Sequence, residues 1–82
     1  MPKTEPVIAQ RIETAPAALV IVFEDREARI PWEKCSAKLA AANATERQQA
    51  ELSPGGYGIR WPLIDEDLSI AGLMRSAAGG RG

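Results

Sequence analysis

The stretch ALVIVF, residues 18–23, limits the possible folds more than any other part of the chain. It is a continuous apolar, largely β-branched run, bounded by Pro16 on one side and by the charged group EDRE (24–27) on the other. A short apolar run framed by turn chemistry reads as a strand, and its continuity predicts burial on both faces. Leu19, Ile21 and Phe23 fall on one side, Val20 and Val22 on the other.

EDRE then predicts a tight turn, and EARIPW returns antiparallel to close a hairpin. Upstream, VIAQRIET (7–14) sets Ile8 and Ile12 on one parity and Arg11 and Glu13 on the other, the pattern of a half-exposed strand. Pro16 ends it, because proline cannot donate to a central ladder. If the ALVIVF strand stood at a sheet edge, its open backbone would invite self-association or docking of a partner strand.

After Trp32 the period changes. SAKLAAANATERQQAEL is rich in helix formers. Ser36 is a candidate N-cap for a helix over 37–42, ended by Asn43, and Thr45 a second N-cap for a helix over 46–52. These read as two helical pieces or one bent helix. SPGG (53–56) breaks the pattern, and YGIRW follows as a strand with Tyr57, Ile59 and Trp61 on one face and Gly58 and Arg60 on the other. Ser69 is the N-cap of a last helix, IAGLMR, in which Ile70, Leu73 and Met74 recur at helical spacing. The expected fold is α+β: a small antiparallel sheet, formed by the N-terminal strands with their hairpin plus the YGIRW strand, packed by a short central helical segment and a short C-terminal helix. The domain is expected over 6–75, with loose termini at 1–5 and 76–82.

Composition closes several chemistries. The 82 residues include no histidine and one cysteine, and the formal net charge is −1. Without histidine no Ser-His-Asp or Cys-His arrangement can be assembled in one chain, and the usual nitrogen ligand for zinc is missing. A lone cysteine makes no internal disulfide, which fits a reducing compartment, and the apolar runs are too short to span a bilayer, so a cytoplasmic location and no membrane partner are expected. Near-neutral charge argues against bulk attraction to nucleic acid. No cofactor, no metal and no enzymatic activity are expected.

Four constellations deserve separate weighing. Asp65, Glu66 and Asp67 are consecutive, so they fan outward from a turn instead of converging on a cation. They read as the polar turn between two buried elements, with Asp67 favoured near the start of the last helix. The two tryptophans with Arg60, Arg29 and Arg11 could serve as a base-stacking face for nucleic acid, although tryptophan in so small a domain is more often a core residue. SPGGYG lacks the downstream lysine of a phosphate loop and is better read as a glycine turn entering a strand. Cys35, beside Lys34, reads as small-residue packing ahead of a reactive thiol.

Taken together, Phe23, Asp25 and Pro31, then Ala44, Thr45 and Arg47, and then the block Gly56, Gly58, Ile59, Trp61, Pro62, Asp65, Glu66, Asp67, Leu68, Ser69, Ile70, Gly72 and Leu73 resemble the domain of unknown function family 2442. The resemblance runs from Ile8 to Met74, and the C-terminal block carries most of its specificity. It implies a small bacterial α+β domain and an antitoxin-like role as the partner of a small toxin-like neighbour. Some members of the family carry a helix-turn-helix module. A chain this short leaves no room for one, so their DNA-binding reading does not carry over. Arg26 stands where the family usually has glycine, which predicts a different or strained hairpin turn. The expected partner surface comprises Asp65, Glu66 and Asp67, with Arg60 and Trp32 at its rim. Nucleic-acid binding through a sheet face is the alternative.

Overall fold

A computed structural model describes residues 8–78. Strand β1 (Arg11–Thr14), β2 (Ala18–Val22) and β3 (Glu27–Pro31) come first, followed by helical turns α1 (Trp32–Cys35), α2 (Ala37–Ala41) and α3 (Ala44–Gln48). Then come β4 (Glu51–Leu52), β5 (Gly58–Trp61), a 3-10 turn (Pro62–Ile64), β6 (Glu66–Ser69) and helix α4 (Ile70–Ala78). The α+β class is as expected, but the strands divide into two antiparallel sheets, β1-β2-β3 and β4-β5-β6. The YGIRW strand therefore centres a second sheet and does not extend the first.

The apolar run forms β2, the middle strand of the first sheet, and all five of its residues are buried. Leu19 and Ile21, with Phe23 just beyond, join the main core. On the opposite face the register sets Val20 between Glu13 and Arg29, and Val22 between Arg11 and Glu27. The aliphatic stems of such long side chains flank apolar neighbours while their charges stay in water. A central position also gives both backbone edges of β2 to β1 and β3, which removes the edge-pairing route considered for ALVIVF.

Turn chemistry sets the two connections of this sheet. Ala15 N–H donates to Ala18 O at 2.9 Å around Pro16, whose fixed φ suits the second position of a turn. At the other end Phe23 N–H donates to Arg26 O at 2.7 Å, so the turn occupies 23–26 and β3 already begins at Glu27. Arg26 is not strained: among the described residues the only non-glycine with positive φ is Asp65. Instead its guanidinium lies 4.7 Å from the centre of the Phe23 ring, beside the carboxylate of Asp25. The first strand is shorter than VIAQRIET, with only Arg11–Thr14 in the ladder.

Between the sheets the chain makes three short helical turns. Trp32 leaves β3 and starts α1, a turn that the sequence pattern does not announce. Ser36 caps α2 as expected, its Oγ accepting from Leu39 N–H at 3.1 Å. The cap of α3 is Asn43, not Thr45: Asn43 Oδ1 accepts from Glu46 N–H at 2.8 Å and Glu46 Oε1 accepts from Asn43 N–H at 3.0 Å. This reciprocal box satisfies two helix-end donors at once. Starting two residues earlier also ends α3 at Gln48, which frees Glu51 and Leu52 to pair with Arg60 and Ile59. A helix over 46–52 would have consumed β4.

The two halves meet on a pair of indoles. Trp32 and Trp61 pack edge to face with ring centres 6.4 Å apart and an interplanar angle of 83°. They are 1% and 0% exposed. Around them lie Ile30, Leu39, Ile59, Ile70 and Leu73, all buried. A buried indole N–H needs an acceptor. Trp32 Nε1 donates to Ala15 O at 2.9 Å and Trp61 Nε1 to Arg47 O at 3.2 Å. Arg47 in turn sends Nε to Leu39 O (3.0 Å) and Nη2 to Ala40 O (3.1 Å), satisfying carbonyls near the end of α2 while lying 5.5 Å from the centre of the Trp32 ring. One arginine thus ties α2, α3 and both tryptophans together.

A backbone clasp also joins the sheets: Ala9 N–H donates to Gly56 O at 2.8 Å. Gly56 has φ +78°, and a Cβ there would stand 2.2 Å from Ala9 O, so only glycine fits. The glycine turn serves this approach. At the C-terminus Ser69 Oγ accepts from Gly72 N–H at 2.9 Å, the expected cap. Helix α4 runs on through Ala78, so residues 76–78 are helical where a loose tail was expected. The expected loose segments 1–5 and 79–82 lie outside the described residues. Among the described residues no helix is long and apolar enough to cross a membrane.

Candidate functional site

The second sheet is built on a one-residue alternation. In β5, Ile59 and Trp61 point into the core and Arg60 outward. Register then fixes what stands beside them. Leu52, Ile59 and Leu68 lie abreast on the inner side, and Glu51, Arg60 and Asp67 abreast on the other. Directly opposed residues on neighbouring strands share a face. The result is a row of negative, positive and negative side chains across three strands, all exposed.

Beside this row a groove of about 550 Å³ opens along the sheet, lined by Leu52, Pro54, Tyr57, Arg60, Asp67 and Leu68. Gly58 also lines it and adds no side chain. Ser53 holds the loop in place, its Oγ accepting from Gly58 N–H at 3.0 Å and its own N–H donating to Gly58 O at 2.8 Å. Tyr57 is 53% exposed. It was expected on the same face as Ile59 and Trp61, but it precedes the first paired residue of β5, where strand alternation no longer governs direction.

The three acids separate. Asp65 takes the left-handed conformation (φ 54°) that closes the 3-10 turn, a region that aspartate tolerates better than most residues. Its carbonyl oxygen accepts from Lys38 Nζ at 2.9 Å. Glu66 and Asp67 are already in β6, so they alternate: Glu66 is half-buried opposite Trp61, and Asp67 stands opposite Arg60. The turn reading therefore holds for Asp65 alone. Among the described residues no three His, Cys, Asp or Glu side chains are grouped to hold a metal ion.

Of the surface expected from sequence, the fold brings Arg60 and Asp67 side by side, leaves Asp65 at the neighbouring turn and turns Glu66 to the other face. Trp32 is interior and cannot form a rim. Burial of both tryptophans likewise removes the aromatic platform on which nucleic-acid stacking depends. Glu51, Tyr57 and Gly58 were missed as site residues. The signal for Glu51 was present: once Arg60 is taken as outward, whichever acid pairs across from it belongs to the same row.

Cys35 is buried, its Sγ directed at the carbonyls of Pro31 (3.6 Å) and Ile30 (3.8 Å). Burial raises its pKa from 9.0 to about 11, outweighing the lowering by Arg47, while Glu33 raises it further. The thiol is protonated at neutral pH and is a packing group.

The chain matches over residues 9–79 the family described as protein of unknown function (DUF2442). A solved structure of a protein of unknown function from Rhodospirillum rubrum is similar to it, with a TM-score of 0.75 and 28% sequence identity, covering 93% of this chain and 89% of that one. No curated protein matches.

Proposed function

The chain belongs to the DUF2442 family of proteins of unknown function, and from that premise we propose that it is a non-enzymatic binding protein, an antitoxin-like partner of a small toxin-like protein. The observation that carries this reading is the second sheet: Glu51, Arg60 and Asp67 stand exposed and abreast on the side away from the core, and a groove of about 550 Å³ opens along the same sheet. Residues 51–69 hold four acids (Glu51, Asp65, Glu66, Asp67) and one base (Arg60), in a chain whose formal net charge is only −1. On the exposed side of that sheet Glu51 and Asp67 outnumber Arg60, and an acidic surface fits a basic protein partner, since opposed potentials steer encounter and select against wrong partners. The protonated, buried thiol and the dispersed carboxylates agree with a role in binding.

Simultaneous alanine replacement of Asp65, Glu66 and Asp67, followed by co-purification with the product of the adjacent gene, tests this. Binding is expected to fall by about tenfold or more, since charge pairs at an interface are worth a kcal/mol or more each. Undiminished binding by a folded triple variant would remove the acids from the interface.

A further inference from the structure

We propose that a second copy of this chain pairs with it along the free edge of β1, joining the first sheets of the two copies into one continuous antiparallel sheet. This inference does not depend on the toxin-partner reading, whose surface lies on the second sheet. Hydrogen-bond parity shows which groups the edge offers. Ala15 N–H donates to Ala18 O at 2.9 Å, which extends the β1–β2 register by one pair. Bonded and non-bonded pairs alternate along an antiparallel ladder, so Glu13 and Arg11 also turn their backbone groups toward β2. Ile12 and Thr14 then turn theirs away, and among the described residues none hydrogen-bonds to them. The rest of the sheet agrees: Phe23 N–H donates to Arg26 O at 2.7 Å, so the odd-numbered residues of β2 bond to β3 and the even-numbered ones to β1. An unpaired edge of this kind is a template for another strand. The other edges are less open. β3 ends at Pro31, which has no donor, and α1 and α4 pack against it; β4 has two residues, and α4 packs against β6.

Side-chain chemistry selects the occupant and the register. A twofold axis must set an outward-bonding residue against another, so it passes through Ile12, Glu13 or Thr14. With the axis at Ile12, Arg11 stands opposite Glu13 of the second copy, and Glu13 opposite its Arg11. An axis at Glu13 would set that acid against itself, and one at Thr14 would leave Arg11 beyond the paired stretch. Only the first is complementary throughout. It makes Arg11 and Glu13 a non-hydrogen-bonded pair, the kind in which opposed side chains come closest. Both lie on the outer face, 63% and 54% exposed, and are already joined within the strand, Arg11 Nη2 to Glu13 Oε2 at 2.9 Å. Pairing closes the two sets into a ring of alternating charge. Opposite charges directly across strands stabilise, and like charges destabilise. On the inner face Ile12, half-buried against the core, meets Ile12 of the second copy, which carries the apolar interior across the axis. A foreign strand would have to reproduce this pattern, whereas a second copy has it by symmetry. With four residues a side the interface is small, so association is expected at high protein concentration.

Sedimentation velocity of the unaltered chain, from micromolar to millimolar concentration, tests this. Its average mass is expected to rise toward twice that of the monomer. Amide exchange at Ile12 should slow over the same range, because its N–H gains the carbonyl of Ile12 in the second copy. Two exposed variants sharpen the result. Arg11→Glu and Glu13→Arg each set like charges across the axis, and each is expected to weaken self-association about tenfold while its amide spectrum stays dispersed. Mixing the two variants sets acid against base again, so the mixture should associate where neither variant does alone. A chain that remains monomeric at millimolar concentration overturns the proposal. So does a dimer that survives both reversals, a mixture that fails to associate, or an Ile12 amide that exchanges as fast in the dimer as in the monomer. Retention of the neighbouring gene's product should be unchanged in both variants, since the acids proposed to bind it lie outside β1, so the two readings fail separately.

Discussion

The two three-stranded sheets use their faces differently. In the first, β2 is buried on both sides, with the core beneath Leu19 and Ile21 and charged flanking residues beside Val20 and Val22. In the second, β5 commits Ile59 and Trp61 to the core and leaves Gly58 and Arg60 beside an open groove. Both sheets feed the same core, the first through Leu19, Ile21 and Ile30 and the second through Ile59 and Trp61.

The sharpest way to break that comparison is to truncate one residue in each sheet. Trp61→Ala removes a fully buried indole, its edge-to-face partner and its hydrogen bond to Arg47 O. A cost of about 3–5 kcal/mol is expected. Small domains hold only about 5–15 kcal/mol in total, so denaturant melts should show a chain close to unfolding. Val20→Ala should cost about 1–2 kcal/mol, because the outer face of the first sheet is shielded by flexible side chains that can close over the loss. Similar losses at the two positions would mean that the sheets do not differ in this way.

Next in size is Arg47→Ala, which strips partners from the carbonyls of Leu39 and Ala40 and uncovers the Trp32 ring. About 1–3 kcal/mol is expected, read from the shift in urea midpoint, with lysine rescuing little because it lacks the planar fork. The smallest effect is Asn43→Ala, which opens the capping box of α3 for about 1 kcal/mol. Since α3 lies between the sheets, hydrogen exchange should show both loosening together. Loosening of the second sheet alone would show that α3 supports only its nearer neighbour.

How far the sequence disclosed the site can be read from single residues. Ser36 and Ser69 were legible as caps because a cap is a local device: one side chain and an amide three residues on. Asn43 and Thr45 were not separable locally, since each has a glutamate or glutamine three residues later. The position of β4 and the reach of Arg47 decided between them. Arg60 was legible from alternation in YGIRW as lying on the face opposite Ile59 and Trp61. Its neighbours Glu51 and Asp67 were not, because pairing register joins residues nine and seven positions away and depends on where each turn closes.

By itself the sequence determined the α+β class, the buried run ALVIVF and the glycine turn before YGIRW. Each follows from side-chain type and short-range periodicity. The tertiary structure alone decided that there are two sheets, that Trp32 faces inward, that the three acids part company and that a groove lies over Gly58. These depend on strand register and on which elements compete for a limited interior, and neither quantity is encoded within any one stretch of the chain.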